Sequence, residues 1–302
     1  MGYGLFSLAS SGEYRLDCPM ILDKMDVPGL LRQYGLRPEK SLGQNFLLDE
    51  SALQQVVKAA EITPQEVVLE IGSGLGSLTR YLAISASSVV AVELDRKLIP
   101  PLVQVIGHYP NVQVVVGDIL ALDPVQLVSE QEYVVVANIP YYITSALLRH
   151  LMEARIPPKR LVLTVQREVA RRICALPGEM SLLALSVQVY GSPQIITHIP
   201  ASAFYPPPKV DSSILRIDLF SSPLIPALEL DVFFHLIKAG FSQKRKTLRN
   251  ALSAGLHLPP STVETILLST EIDPMRRAET LEIAEWHRLT ILLSQKLQQE
   301  IK

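Results

Sequence analysis

Two cysteines in 302 residues, Cys18 and Cys174, stand far apart and outside any C-x-x-C pattern. That scarcity argues against a disulfide scaffold and a cysteine-built metal centre, and it fits a reducing compartment. No apolar run reaches the roughly 18 residues that a membrane-spanning helix needs. Basic charge is not in excess either: 28 Lys and Arg face 30 Asp and Glu, a formal net charge of −2. A nucleic-acid surface on such a chain must come from local clusters of cations. The N-terminus carries Arg15 against Glu13 and Asp17, which suits neither a signal peptide nor an Arg-rich transit peptide. The opening Met-Gly lacks the Ser or Thr of a myristoylation motif, because Phe6 stands there. Residues 1–25 therefore read as a loosely held extension, with Met20 and Met25 as alternative starts. A cytoplasmic, metal-free monomer is expected.

What is present is apolar: 48% of the residues, enough for a sizeable core in one large or two smaller domains. Short runs rich in β-branched residues alternate with helical stretches. Val67–Ile71, Val89–Val92, Val112–Val116, Tyr133–Ala137 and Leu161–Val165 are mostly apolar, as in strands buried on both faces of a parallel sheet. Strands alternating with helices predict a doubly wound α/β fold. Leu185–Tyr190, Gln194–Ile199 and Ser213–Asp218 follow closely and read as an antiparallel edge of the same sheet. Composition shifts at Ser221-Ser222-Pro223-Leu224-Ile225-Pro226, a linker candidate. Beyond it the spacing is helical over Phe233–Phe241, Lys244–Leu256, Ser261–Leu268 and Leu281–Leu297, with Trp286 expected in a core. The predicted domains are 26–222, catalytic, and 227–302, helical.

Polar residues end one strand after another, on the edge where open α/β sheets bind ligands. The first strand runs into Glu70-Ile71-Gly72-Ser73-Gly74-Leu75-Gly76. This G-x-G-x-G spacing differs from the G-x-G-x-x-G of dinucleotide enzymes, and alone it suits a structural turn as well as a ligand loop. Glu93 ends the next strand, where an acid can bind both hydroxyls of a ribose. Asp118 ends the third, placed to accept from an adenine amine or to cap a turn. Together they suit an adenosine-containing cofactor, either NAD or S-adenosylmethionine.

Asn138-Ile139-Pro140-Tyr141 at the fourth strand end separates the two. An adenine amine is a poor nucleophile because its lone pair is delocalised into the ring. Acceptors on both N–H groups can hold the nitrogen partly pyramidal. The Asn138 side-chain carbonyl and the Pro140 backbone carbonyl are suited to this, and proline stiffens that backbone. Tyr141 offers a face for an unstacked base. Catalysis then rests on positioning and on preorganised acceptors.

Four further stretches complete the pattern: Lys40–Leu47 (KSLGQNFL), Phe204–Ser212 (FYPPPKVDS), Gly240–Asn250 (GFSQKRKTLRN) and Arg277–Leu281 (RAETL). With them the chain, from about Tyr34 to Leu289, resembles the small-subunit ribosomal RNA adenine dimethyltransferases. The resemblance implies a class I S-adenosylmethionine-dependent methyltransferase domain, Rossmann-like with a seven-stranded and mostly parallel sheet, plus a small C-terminal all-α domain. It implies transfer of two methyl groups to each of two adjacent adenosines in a hairpin loop near the 3′ end of the small-subunit RNA, during subunit maturation. It implies cofactor contacts from Asn45, Leu47, Gly72, Gly74, Glu93, Asp118 and Asn138, and stacking of Phe204 on the target base. Ser73 and Ile139 depart from the family's usual Pro and Leu. Ile139 is shared with the large-subunit adenine methyltransferases, whose C-terminal domain differs. A large-subunit enzyme and a non-catalytic assembly factor on the same fold are the competing readings.

Two basic clusters suit an RNA partner. Arg167, Arg171 and Arg172 follow the fifth strand, with Arg167 and Arg171 on one helical face. Lys244, Arg245, Lys246 and Arg249 form the second, with Lys246 and Arg249 expected on one face. Such runs are also common on plain solvated helices. Arg149 reads as a surface residue, and His150 and His287 receive no role.

Overall fold

The structure, a computed structural model, describes residues 22–139 and 143–300, with side chains as far as residue 294. The strands, in chain order, are β1 (Phe46–Leu47), β2 (Val67–Ile71), β3 (Ser88–Glu93), β4 (Val112–Val116), β5 (Tyr133–Asn138), β6 (Arg160–Gln166), β7 (Gly191–Ile199), β8 (Phe204–Tyr205) and β9 (Ser212–Leu219). The first helices are α1 (Val27–Gln33), α2 (Glu50–Ala60), α3 (Thr79–Ser85), α4 (Ile99–Ile106), α5 (Pro124–Leu127) and α6 (Thr144–Met152). They are followed by α7 (Arg167–Ile173), α8 (Leu182–Gln188), α9 (Leu230–Phe241), α10 (Leu248–Leu256), α11 (Pro260–Ser269) and α12 (Ile283–Glu300).

Seven strands form one sheet in the order β4-β3-β2-β5-β6-β9-β7. The five strands from β4 to β6 pair in parallel, and β9 and β7 add antiparallel at the far edge. β2, β5 and β6 are apolar on both faces because both faces are covered. Val68, Val134, Val136 and Val162 pack on one side with residues of α2 and α3. Leu69, Val135, Leu161 and Leu163 pack on the other with α6, α7 and α8. β4, expected to be buried on both faces, is an edge strand and remains half-exposed. The five parallel strands fall where the apolar runs predict them, within a residue at either end.

One predicted strand is a helix. Leu185–Tyr190 falls largely within α8, whose start is capped by the Ser181 hydroxyl accepting from the Ala184 N–H at 3.1 Å. A short helix buried on most sides shows the same continuous apolar run as a buried strand. The predicted linker is not a free tether. The N–H groups of Phe220 and Leu224 donate to the carbonyls of Tyr190 and Val189, and Ile225 is fully buried. Helices α9–α12 surround Trp286, and their core is continuous with the layer beneath α6–α8. The backbone N–H groups of Gly178 and Met180 both donate to the Glu279 carbonyl, tying the loop after α7 to the C-terminal helices. The extension is held at its inner end: Arg80 donates to the Asp23 carbonyl, and the Ser77 hydroxyl contacts the Met25 sulfur. Residues 1–21 lie outside the described residues. Among the described residues no helix is long and apolar enough to cross a membrane.

Candidate active site

The carboxyl ends of β2, β3, β4 and β5 enclose a cavity of about 280 Å³. Its lining includes Asn45, Gly72, Gly74, Glu93, Asp118 and Asn138, so six of the seven expected cofactor residues meet in one place. The seventh, Leu47, is buried and touches a smaller adjoining recess of about 30 Å³ shared with Asn138.

The glycine loop is shaped by two constraints. Gly72 and Gly74 have φ of +76° and +58°, a region L side chains rarely adopt. A Cβ on Gly72 would stand 3.3 Å from the Asn138 carbonyl, and one on Gly74 would stand 3.2 Å from the Phe46 ring. The loop is then pinned by Glu93. One carboxylate oxygen accepts from the Gly74 N–H at 2.7 Å, the other from the Asp95 N–H at 2.8 Å. A carboxylate has about four lone-pair sites, so capacity remains for two ligand hydroxyls. Burial raises the Glu93 pKa, against the lowering effect of these N–H groups.

Asp118 is exposed, and one of its oxygens accepts from the Leu120 N–H at 3.0 Å, so it does shape a turn. Its second oxygen has no partner among the described residues. The Asn138 amide donates to the Asn45 backbone carbonyl at 3.2 Å. That bond sets the amide's orientation and leaves its carbonyl oxygen as the acceptor. Pro140 and Tyr141, the other halves of the proposed clamp, lie outside the described residues.

Glu70, the residue that opens the glycine motif, has a further part in the site. It is buried, and among the described residues one carboxyl oxygen has no hydrogen-bond partner, nor do the hydroxyls of Ser73 and Thr79. Burial pushes its pKa up to about 8; the nearby Thr79 hydroxyl works against this, and Glu93 adds to it. Glu70 and Ser73 line the smaller recess, which therefore offers polar atoms without partners to a polar ligand group.

Several lining residues were missed. Gln44 donates to Asp95 at 2.9 Å and clips the N-terminal loop over the cavity. Phe46, Leu94, Ile119 and Leu120 form apolar walls. The signal available is adjacency: Leu94 follows Glu93, Ile119 and Leu120 follow Asp118, and Phe46 follows Asn45.

Phe204 requires a correction. The expected open stacking face is absent: the side chain is 3% exposed and packs with Leu47, Leu53 and Ile214. Among the basic residues, Arg167, Arg171 and Arg172 on α7 and Lys244, Arg245 and Lys246 are all exposed, with no ion pair among the described residues. Lys246 does not share a helical face with Arg249, because α10 begins at Leu248. Arg249 is committed elsewhere, paired with Glu264 at 3.0 Å. Arg149 is exposed and paired with Glu153.

A family model described as "Ribosomal RNA adenine dimethylase" matches residues 35–295. The chain belongs to that family. It is 42% identical over 283 residues to "Ribosomal RNA small subunit methyltransferase A" of Dehalococcoides mccartyi (strain CBDB1), covering 91% of this chain and 97% of the relative. The protein of that name from Alkaliphilus oremlandii (strain OhILAs) is 41% identical over 275 residues, covering 89% and 96%. Among solved structures, a dimethyladenosine transferase from Plasmodium falciparum aligns with a TM-score of 0.73 at 27% identity, over 83% of this chain and 98% of that one. The 23S rRNA methyltransferase ErmE aligns with a TM-score of 0.67 at 28% identity, over 83% and 100%. The family's fold, a class I methyltransferase sheet followed by a helical segment, is the one seen here.

Proposed function

We propose that this chain dimethylates the exocyclic amines of two adjacent adenosines in a hairpin loop near the 3′ end of small-subunit ribosomal RNA, with S-adenosylmethionine as donor. The observation that carries the reading is Asn138: it stands at the end of β5, lining the cavity, with a side-chain N–H donated to Asn45 and no partner on its side-chain carbonyl among the described residues. The residues fit the cofactor by their chemistry. Glu93 is suited to a ribose, Asp118 to an adenine amine between the apolar walls of Ile119 and Leu120, and the recess of Glu70 and Ser73 to a charged amino-acid end. When bound, the cofactor supplies an electrophilic methyl group on a sulfonium.

The chain's own work is orientation. Asn138 accepts from one N–H of the target amine, the Pro140 carbonyl accepts from the other, and Tyr141 supports the base. Localising the lone pair this way needs no strong base, because the methylated cation loses its proton readily. Fixed acceptors at the reacting nitrogen cost no reorganisation during the reaction. Residues 26–222 form the catalytic domain and 227–302 the RNA-binding domain. Arg167, Arg171, Arg172, Lys244, Arg245 and Lys246 contact phosphates, with Arg249 bracing their platform. The enzyme works as a cytoplasmic monomer on immature small subunits.

Relatives above 40% identity with small-subunit names favour that RNA over the large-subunit target of ErmE. The test is methyl incorporation into undermethylated small and large subunits, read by mass spectrometry of the RNA. Dimethyladenosine in the small-subunit RNA is the expected product. Label only in the large subunit, or cofactor binding without transfer to either, would overturn the assignment.

A further inference from the structure

β1 and β8 form a two-stranded ribbon in which Phe46 faces Tyr205 and Leu47 faces Phe204. Directly opposed residues of an antiparallel pair project from the same face, with Cα atoms about 4.5–5.5 Å apart. Neighbours along a strand project from opposite faces. Leu47 and Phe204 both point into the core, at 3% exposure each. Phe46 lines the cofactor cavity. Tyr205 therefore projects from the same face of the ribbon as Phe46, outside the cavity lining itself, and it is 37% exposed. Lys209 is exposed four residues on, and the Arg167 N–H donates to the Asp211 carbonyl at 3.1 Å, holding the start of α7 against this loop.

We propose that Tyr205 is a positioning residue: its ring is the platform on which the unpaired base beside the target adenosine stacks, while Arg167 and Lys209 hold the flanking phosphates. The assignment rests on the small-subunit RNA reading above. It is distinct from the stacking on the target base itself that was expected of Phe204, whose ring is buried. An aromatic face is sequence-tolerant, so it can serve either of two adjacent adenosines while the other occupies the cavity.

The test compares Tyr205→Ala and Tyr205→Phe with wild type in steady-state methylation of undermethylated small subunits, alongside calorimetric cofactor binding. Loss of one stacked base is expected to raise KM for the particle about tenfold. kcat should hold within about twofold, cofactor affinity should not change, and Tyr205→Phe should restore wild-type KM. An unchanged KM in Tyr205→Ala, or a Phe variant as impaired as the Ala variant, overturns the platform. A second readout is independent of turnover: Tyr205→p-benzoylphenylalanine is photo-crosslinked to the particle and the adduct mapped on the RNA. A crosslink at either adenosine of the methylated pair supports the platform, and its absence there overturns it. Crosslinking at that position without any methyl transfer would overturn the reaction assignment while leaving the platform supported.

Discussion

The cofactor cavity and the basic surface are built on opposite principles. In the cavity three polar side chains are held in place: Glu93 by the backbone N–H groups of Gly74 and Asp95, the Asn138 amide by Asn45, and Gln44 by Asp95. On α7 and at Lys244–Lys246 the cations are exposed and carry no ion pair among the described residues. A small ligand with several polar groups needs atoms placed to a fraction of an ångström, so the backbone itself is recruited. A polyanion needs charge within reach, so long solvated side chains suffice. Arg249 marks the boundary, because its pairing with Glu264 makes it part of the scaffold.

The contrast can be broken in order of expected size. Asn138→Ala should cut the methylation rate about 100- to 1,000-fold while cofactor binding weakens only modestly, because one preorganised acceptor is lost at the reacting nitrogen. Single-turnover rates and calorimetry check this. Glu93→Gln should weaken cofactor binding about 10- to 100-fold, the scale of a hydrogen bond to a charged group, since the amide NH2 opposes one of the two N–H donors. Equal cofactor affinity in that variant would show that the pinned loop is not what binds.

Replacing Arg167, Arg171 and Arg172 together should leave the cavity intact and flatten the salt dependence of RNA binding. Each lost phosphate contact removes about 0.7–0.9 from the slope of log K against log salt. Glu70 predicts a pH effect on stability. Its carboxyl stays protonated up to about 8 in the folded chain but ionises near its ordinary 4.5 once unfolded. The native state binds the extra proton between these limits, so this contribution is full below the lower value and lost as pH rises through the upper one. Thermal midpoints from pH 5 to 8 should fall in wild type and fall less in Glu70→Gln. Smallest is Arg249→Ala, which loses a half-exposed pair and should cost no more than about 1 kcal/mol in denaturant unfolding. If it instead impaired RNA binding as much as the α7 triple variant, the scaffold assignment would be wrong.

Much of the site was legible because its chemistry sits at strand ends, and strand ends are local events. Apolar β-branched runs stopping at Gly72, Glu93, Asp118 and Asn138 located four corners of the cavity before any packing was known. The apolar walls were harder, because Phe46, Ile119 and Leu120 look like any core residue until the cavity beside them is seen. The Leu185–Tyr190 run failed as a strand because burial on most sides erases the periodicity that separates helix from strand.

Sequence by itself determined the parallel part of the sheet, the order of polar groups along its edge and the family resemblance, since each follows from residues close together in the chain. Only tertiary structure decided the rest. The insertion of β9 between β6 and β7 is a long-range pairing. So is the pairing of Arg249 with Glu264. The β1–β8 register decides that Phe204 shares the buried face of Leu47 and Tyr205 the face of Phe46, and a shift of one residue would exchange them. Nothing within either segment records that register, because it is set by two strands more than 150 residues apart meeting at the cofactor edge.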